Sequence, residues 1–212
     1  MSGQGPVPVL RGDSARRWVD ELARREGDGV DGSVRAILDE VRRGGDRALV
    51  RLTERYDGVR PSAVRVPPDR CRQALEELPG ARRSALERAV RNVERFHRAQ
   101  RREGERVEVE PGVTAWREFR PLETVGIYVP GGRAPYPSSL VMTAVPARIA
   151  GCDRVVACSP PGPDGEPPGA VLAAAALLEV DDVFAVGGAQ AVAALAWGTD
   201  TVPAVDKIVG PG

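Results

Sequence analysis

Four short segments combine glycine with residues able to meet a polar ligand: VPGG at 129–132, CSPPG at 158–162, VGGAQ at 186–190 and VGPG at 209–212. Glycine lets backbone approach a ligand closely and turn tightly into a helix whose first N–H groups are free to meet an anion. Gln190 falls in the first turn of such a helix, with an amide that can donate and accept toward a sugar or a phosphate. Tyr128 immediately precedes VPGG, and its phenol can both pack on a ligand and hydrogen-bond it. Ser138 or Ser139 stands where a side-chain oxygen could cap the next helix. These features suit one wall of a nucleotide site. The same glycines also suit tight strand-to-helix turns with no ligand.

The remaining reactive side chains are few. Cys158 lies on the presumed rim, and Cys152 lies at a helix C-terminus, where the dipole raises a thiol pKa. Neither has a base near it in sequence, so packing is the expected role of both. The single histidine, His97, sits beside Phe96 in NVERFHRAQ. It cannot serve as both general base and metal ligand, and a surface or helix-packing role is expected.

The elements that must hold these segments follow from periodicity. Apolar, β-branched runs at 124–129, 154–158, 182–186 and 207–210 alternate with Ala/Leu-rich stretches at about 139–150, 168–178 and 189–197. Strands apolar on both faces, joined by helix-length crossovers, predict a parallel βαβαβαβ sheet covered on both sides. Ligands bind such sheets beyond the carboxyl ends of the strands, where the glycines lie. The fold class is α/β: a helical N-terminal region with a hairpin (1–120), then a Rossmann-like half domain (121–212). The usual G-x-G-x-x-G fingerprint is absent, and the second strand ends in Cys158-Ser159 where an acidic ribose ligand is expected. The last run, KIVG, has no following helix, which predicts an uncovered sheet face or edge.

Upstream, Val34, Ile37, Leu38 and Val41 recur at helical spacing. After a Gly44-Gly45 break, Asp46 can cap a second segment, Ala48 to Tyr56, closed by Gly58. Further helices are predicted from Pro68 to Leu78 and from Ala81 to about Arg102, the latter with a stripe of Leu86, Ala89, Val90, Val93 and Phe96. Two alternating runs around Glu110-Pro111-Gly112-Val113 predict a hairpin.

Composition bounds the function classes. The 212 residues are 42% hydrophobic, with no apolar run near the roughly 20 residues that span a bilayer. The N-terminus MSGQGPVPVL lacks a signal-peptide pattern, and three irregularly spaced cysteines suit a reducing compartment; a cytoplasmic, membrane-free location is expected. Residues 1–120 carry 26 basic and 21 acidic side chains, whereas 121–212 carry 4 and 9. The arginine pairs, such as 16–17, 24–25 and 82–83, have acids interspersed at helical spacing. That reads as a solvated face rather than a nucleic-acid footprint.

VGIYVPGGRAPYPSSLVMTAVPARIAGCDRVVACSPP, then DVFAVGGAQAVAALAWGTDTVPAVDKIVGPG, closely resembles histidinol dehydrogenase, and NVERFHRAQ with PGVTAWREFRPLETVGIYVPGG extends the likeness upstream. The resemblance implies an NAD-dependent, zinc-containing homodimeric enzyme that oxidises L-histidinol to the aldehyde and then to L-histidine. It assigns NAD contacts to Tyr128 and Gln190. The family's next cofactor contact, an Asn after GPG, its catalytic Glu-His pair and its zinc ligands belong to segments beyond this sequence, so no catalytic or metal residue is assigned. The expectation is an N-terminal portion of such an enzyme, inactive alone. A non-catalytic nucleotide-binding or partner-binding module is the alternative. The purified chain, given NAD, zinc and histidinol, is expected to form no NADH by absorbance; turnover comparable to a complete enzyme would refute that expectation.

Overall fold

The computed structural model describes residues 31–102, 104–131 and 134–211, together with Asp13 and Arg16. The N-terminal stretch 1–10, the arginine pair 24–25, and Gly132 and Gly212 of two strand-exit turns lie outside them. The chain order is α1 (Asp31–Asp57), β1 (Arg65–Val66), α2 (Pro68–Glu76), α3 (Gly80–Arg98), β2 (Arg106–Glu110) and β3 (Val113–Trp116). There follow β4 (Thr124–Tyr128), α4 (Pro137–Ala150), β5 (Arg154–Ser159), α5 (Gly169–Leu177), β6 (Asp182–Ala185), α6 (Gly188–Trp197) and β7 (Lys207–Val209).

A five-stranded sheet has the order β1-β6-β5-β4-β7. Strands β4, β5, β6 and β7 are parallel, and β1 adds antiparallel to β6. The fold is therefore α/β with a mostly parallel sheet. Its alternation separates two cores. On one face Val155 and Ala157 pack with Ile127, Val183 and residues of α2, α4 and α5. On the other, Val156, Cys158 and Phe184 pack with Leu49 and Leu52 of α1 and Leu195 of α6. Packing thus crosses the compositional boundary at residue 120, since α1 and α2 each cover a face of the sheet.

Local chemistry shapes these elements. Helix α1 is interrupted at the anticipated glycine pair, where Gly45 has φ 51° and ψ −137°. Asp46, anticipated as a cap, turns its carboxylate to the loop after α6, accepting from the Thr201 backbone N–H at 3.4 Å and from its hydroxyl. At the start of β6, Asp182 is buried and forms ion pairs with Arg65 of β1 and Arg154 of β5, tying three strands at one end. The hairpin forms as anticipated, Gly112 taking φ 80° in its turn. It lies apart from the sheet, with Val109 and Trp116 about 58% and 66% exposed.

Two details differ from expectation. Helix α4 starts at Pro137, with Tyr136 as its N-cap residue, so Ser138 and Ser139 are inside the first turn and cap nothing. Proline at the first helical position has no N–H to satisfy, which favours that earlier start. Phe96, anticipated on the apolar stripe of α3, is 63% exposed at the helix end, in edge-to-face contact with His97. As anticipated for KIVG, β7, with exposed Lys207, is left as one edge of the sheet, while the unanticipated β1 forms the other. Among the described residues, arginines of α3 pair along the helix, as Arg83 does with Glu87 and Arg98 with Glu94, and no helix is long and apolar enough to cross a membrane.

Phe184 is fully buried. Phe184→Ala is expected to lower the unfolding free energy by about 3–5 kcal/mol, and Phe96→Ala by no more than about 0.5 kcal/mol, in guanidinium denaturation. Equal effects would contradict the packing described.

Candidate functional site

The sheet reverses direction between β4 and β7. Strands β4, β5 and β6 proceed one way across it, and the chain then returns to place β7 on the far side of β4. Such a switch point opens a crevice beyond the carboxyl ends of the strands. A cleft of about 610 Å³ lies beyond the carboxyl ends of β4 and β5, with no residue of β7 among its described walls. Its walls come from the turns after β4 (Tyr128, Pro130, Gly131) and after β5 (160–163), from Gly188 at the start of α6, and from Tyr56, Asp57 and Val59 at the end of α1.

Tyr128 and Gln190 are brought together at the start of α6. The Gly188 backbone N–H donates to the Tyr128 hydroxyl at 3.2 Å, so the phenol caps the helix in place of a side chain from its own N-cap residue, Gly187. The first N–H groups of a helix have no intrahelical acceptor, and this bond satisfies one of them. Two residues on, Gln190 is 1% exposed, and its Nε2 has no hydrogen-bond partner. A buried amide donor left unpaired costs roughly 1–3 kcal/mol, and Gln190 itself is not among the residues that line the cleft. Gly188 has φ 62°, and a Cβ there would lie 2.7 Å from Gln190 Oε1. Any larger residue would push the amide away.

The strand-exit glycines have a packing role as well. Pro160 sits between two of them: a Cβ on Gly131 would come within 2.7 Å of its ring, and one on Gly187 within 2.6 Å. The turns after β4, β5 and β6 therefore interlock around one proline. Much of the glycine pattern read from sequence serves this contact, and the contact forms the floor of the cleft.

Asp57 escaped the sequence reading. It is the last residue of α1, half-buried, and its Oδ2 is buried without a hydrogen-bond partner. Burial raises its carboxyl above the usual aspartate value. No local spacing announces it, because only the packing of α1 brings residue 57 to the end of β5. Ser159 Oγ, at that same strand end, is also buried and unpartnered.

The thiols are set for packing rather than attack. Cys71, Cys152 and Cys158 are free and buried, and desolvation raises the Cys71 and Cys158 thiols above the usual range. His97 lies elsewhere, in a hollow of about 450 Å³ on the outer side of α3 and α4. Among the described residues, no group of three or more His, Cys, Asp or Glu could hold a metal ion. Two tyrosine rings, proline walls, a helix N-terminus and one half-buried carboxylate give the cleft the means to bind a nucleotide.

The family model for histidinol dehydrogenase matches residues 22–212. The histidinol dehydrogenase of Methanothermobacter thermautotrophicus is 50% identical over 192 residues, covering 91% of this chain and 45% of the relative. That of Parasynechococcus marenigrum is 51% identical over 183 residues, covering 86% and 42%. The crystal structure of histidinol dehydrogenase from Elizabethkingia anophelis superposes with a TM-score of 0.84 at 34% identity, covering 88% of this chain and 43% of that one. The chain thus spans less than half the length of the relatives it matches.

Two stability measurements test this geometry. Tyr128→Phe removes the hydroxyl that Gly188 donates to, and is expected to lower stability by about 1 kcal/mol. Asp57 has a raised folded-state pKa, so its protonated form favours folding. Its destabilising effect is present at neutral pH and is relieved as pH falls through the folded pKa toward the ordinary aspartate value. Asp57→Asn should therefore exceed the parent chain in stability near pH 7, with the difference shrinking in acid. A difference independent of pH in denaturation experiments would contradict this reading.

Proposed function

The chain belongs to the histidinol dehydrogenase family, and from that premise we propose that it forms the NAD-contacting portion of an enzyme oxidising L-histidinol through the aldehyde to L-histidine. The observation that carries the reading is the buried, unpartnered Gln190 amide beside the Tyr128-capped start of α6, at the switch point of the sheet. These residues fit a dinucleotide. The N-terminus of α6 favours a diphosphate, and the Gln190 amide has a donor to give. Tyr128 offers its ring and hydroxyl at the rim. NAD, when bound, accepts the hydride removed from the substrate. The work of these side chains is to bind and orient, and the proline walls exclude water from one side.

Zinc, which the family implies, does not fit the described residues, since no cluster of possible ligands exists among them. Homodimer formation and a cytoplasmic setting belong to the same proposal; the second is supported by three buried cysteines left as free thiols.

Calorimetric titration of the purified chain with NAD tests the reading. Saturable binding is expected, and Gln190→Leu, which keeps bulk but removes the amide, should weaken it by about 3–10-fold. A variant that binds NAD as tightly as the parent chain would remove Gln190 from the site.

A further inference from the structure

Arginines along α1 and α3 face acids, as Arg51 does Glu40 and Arg83 does Glu87. The hollows on α1 mix the two signs accordingly, with Asp46 and Glu54 beside Arg47 and Arg60 in one, and Glu40 and Glu54 beside Arg55 in another. The hollow of about 450 Å³ on the outer side of α3 and α4 breaks this pattern. Arg101, Arg102 and Arg120 line it with His97 and Gln100, and no acidic residue among the described ones does. Cations gathered on one wall, unlike interspersed ones, set up a field that draws an anion.

The hollow is remote from the cleft. Pro121 lies just before β4, and Pro146, Ile149 and Ala150 lie toward the end of α4, which puts the hollow at the amino ends of β4 and β5. Strand β4 runs from the hollow toward the cleft, and α4 returns.

Its cations are only partly neutralised by their surroundings. Arg120 pairs with Glu118 at 3.0 Å, whereas the side chains of Arg101 and Arg102 make no hydrogen bond or ion pair among the described residues. Glu105 shares a neighbouring hollow with Arg102 and Arg117, and its carboxylate pairs with neither. Helices α3 and α4 both end nearby, and each carbonyl end carries roughly half a negative charge, so the two together offset about one guanidinium. Positive charge is left over. The rest of the wall is apolar: Phe119 is 54% exposed, with Pro146 and Ile149 across from it. An aromatic ring open beside guanidinium groups suits a ligand whose flat body packs on the ring while its charged end meets the N–H forks. His97, its ring in edge contact with Phe96, and Gln100 add further donors.

We propose that this hollow is a second ligand site, separate from the cleft, for a small organic anion that carries a phosphate or carboxylate on a flat apolar body. The proposal does not rest on the cofactor reading above. Arg101 and Arg102 supply the bonds to the oxyanion, and Phe119 supplies the surface for the body.

The test is calorimetric titration of the 212-residue chain with phenyl phosphate and benzoate, and with inorganic phosphate and benzyl alcohol as probes of the charge alone and the ring alone. Saturable binding of phenyl phosphate or benzoate is expected, the former about 3–10-fold tighter than inorganic phosphate because its ring is buried, with no binding of benzyl alcohol. Arg101→Gln combined with Arg102→Gln should weaken the aryl anions about tenfold or more, and Phe119→Ala should abolish the preference for phenyl phosphate over inorganic phosphate. The second variant alters an exposed side chain and reports even where the first does not fold. Excess NAD should leave the binding unchanged. Displacement of phenyl phosphate by NAD would put the anion in the cleft and overturn the proposal. So would failure of the parent chain to bind either aryl anion, undiminished binding by the folded double-arginine variant, or an unchanged preference in Phe119→Ala. Each of these leaves the cofactor reading standing, since titration with NAD alone decides it.

Discussion

Val155, Val156, Ala157 and Cys158 are consecutive residues of β5, and all four are buried. Successive strand side chains point to opposite faces, so neither face of the sheet can meet water. The surrounding architecture answers that constraint. The crossovers carrying α4 and α5 cover one face, α6 crosses on the other, and helices from the first half of the chain complete both layers. The switch point between β4 and β7 is the geometric result of α6 crossing on the opposite face from its predecessors. The cleft exists because the layers exist.

The site inherits its precision from that packing. Tyr128 ends a strand held between β5 and β7, and its hydroxyl meets a helix whose inner face is anchored by Ala191, Ala194 and Leu195 in the second core. A strand end and a helix start are both rigid, so the bond between them fixes the rim with little freedom left to lose. The apolar layers thus do the positioning, while a handful of polar groups remain unsatisfied at the edge of the core: Gln190 Nε2, Ser159 Oγ and Asp57 Oδ2. Most buried polar groups in folded proteins are paired; of these three exceptions only Asp57 lines the cleft, and Thr53 Oγ1 and Arg70 Nη1 are further exceptions outside its lining.

What sequence could reveal divides along the distance over which each feature is encoded. The alternation of strand and helix, the Pro111-Gly112 hairpin and the break at Gly45 are written in neighbouring residues, and they were legible. Tyr128 and Gln190 could each be placed at an element terminus, but their meeting depends on β4 and α6 being adjacent, which no local period encodes. The two-residue strand Arg65–Val66 is too short to show alternation, and forms because β6 offers it an edge. Asp57 is the clearest case. It reads as an ordinary residue before a helix-ending glycine until α1 is laid against the sheet. The early start of α4 is obscured for the opposite reason, because two serines suited to capping follow a proline that needs no cap.

The proline between Gly131 and Gly187 also has an entropic meaning. Three turns that interlock around one ring do not open independently, so this part of the cleft wall is ordered without a ligand. A ligand entering the cleft would spend little on ordering these turns. A side chain gained at either glycine would need a compensating loss at residue 160.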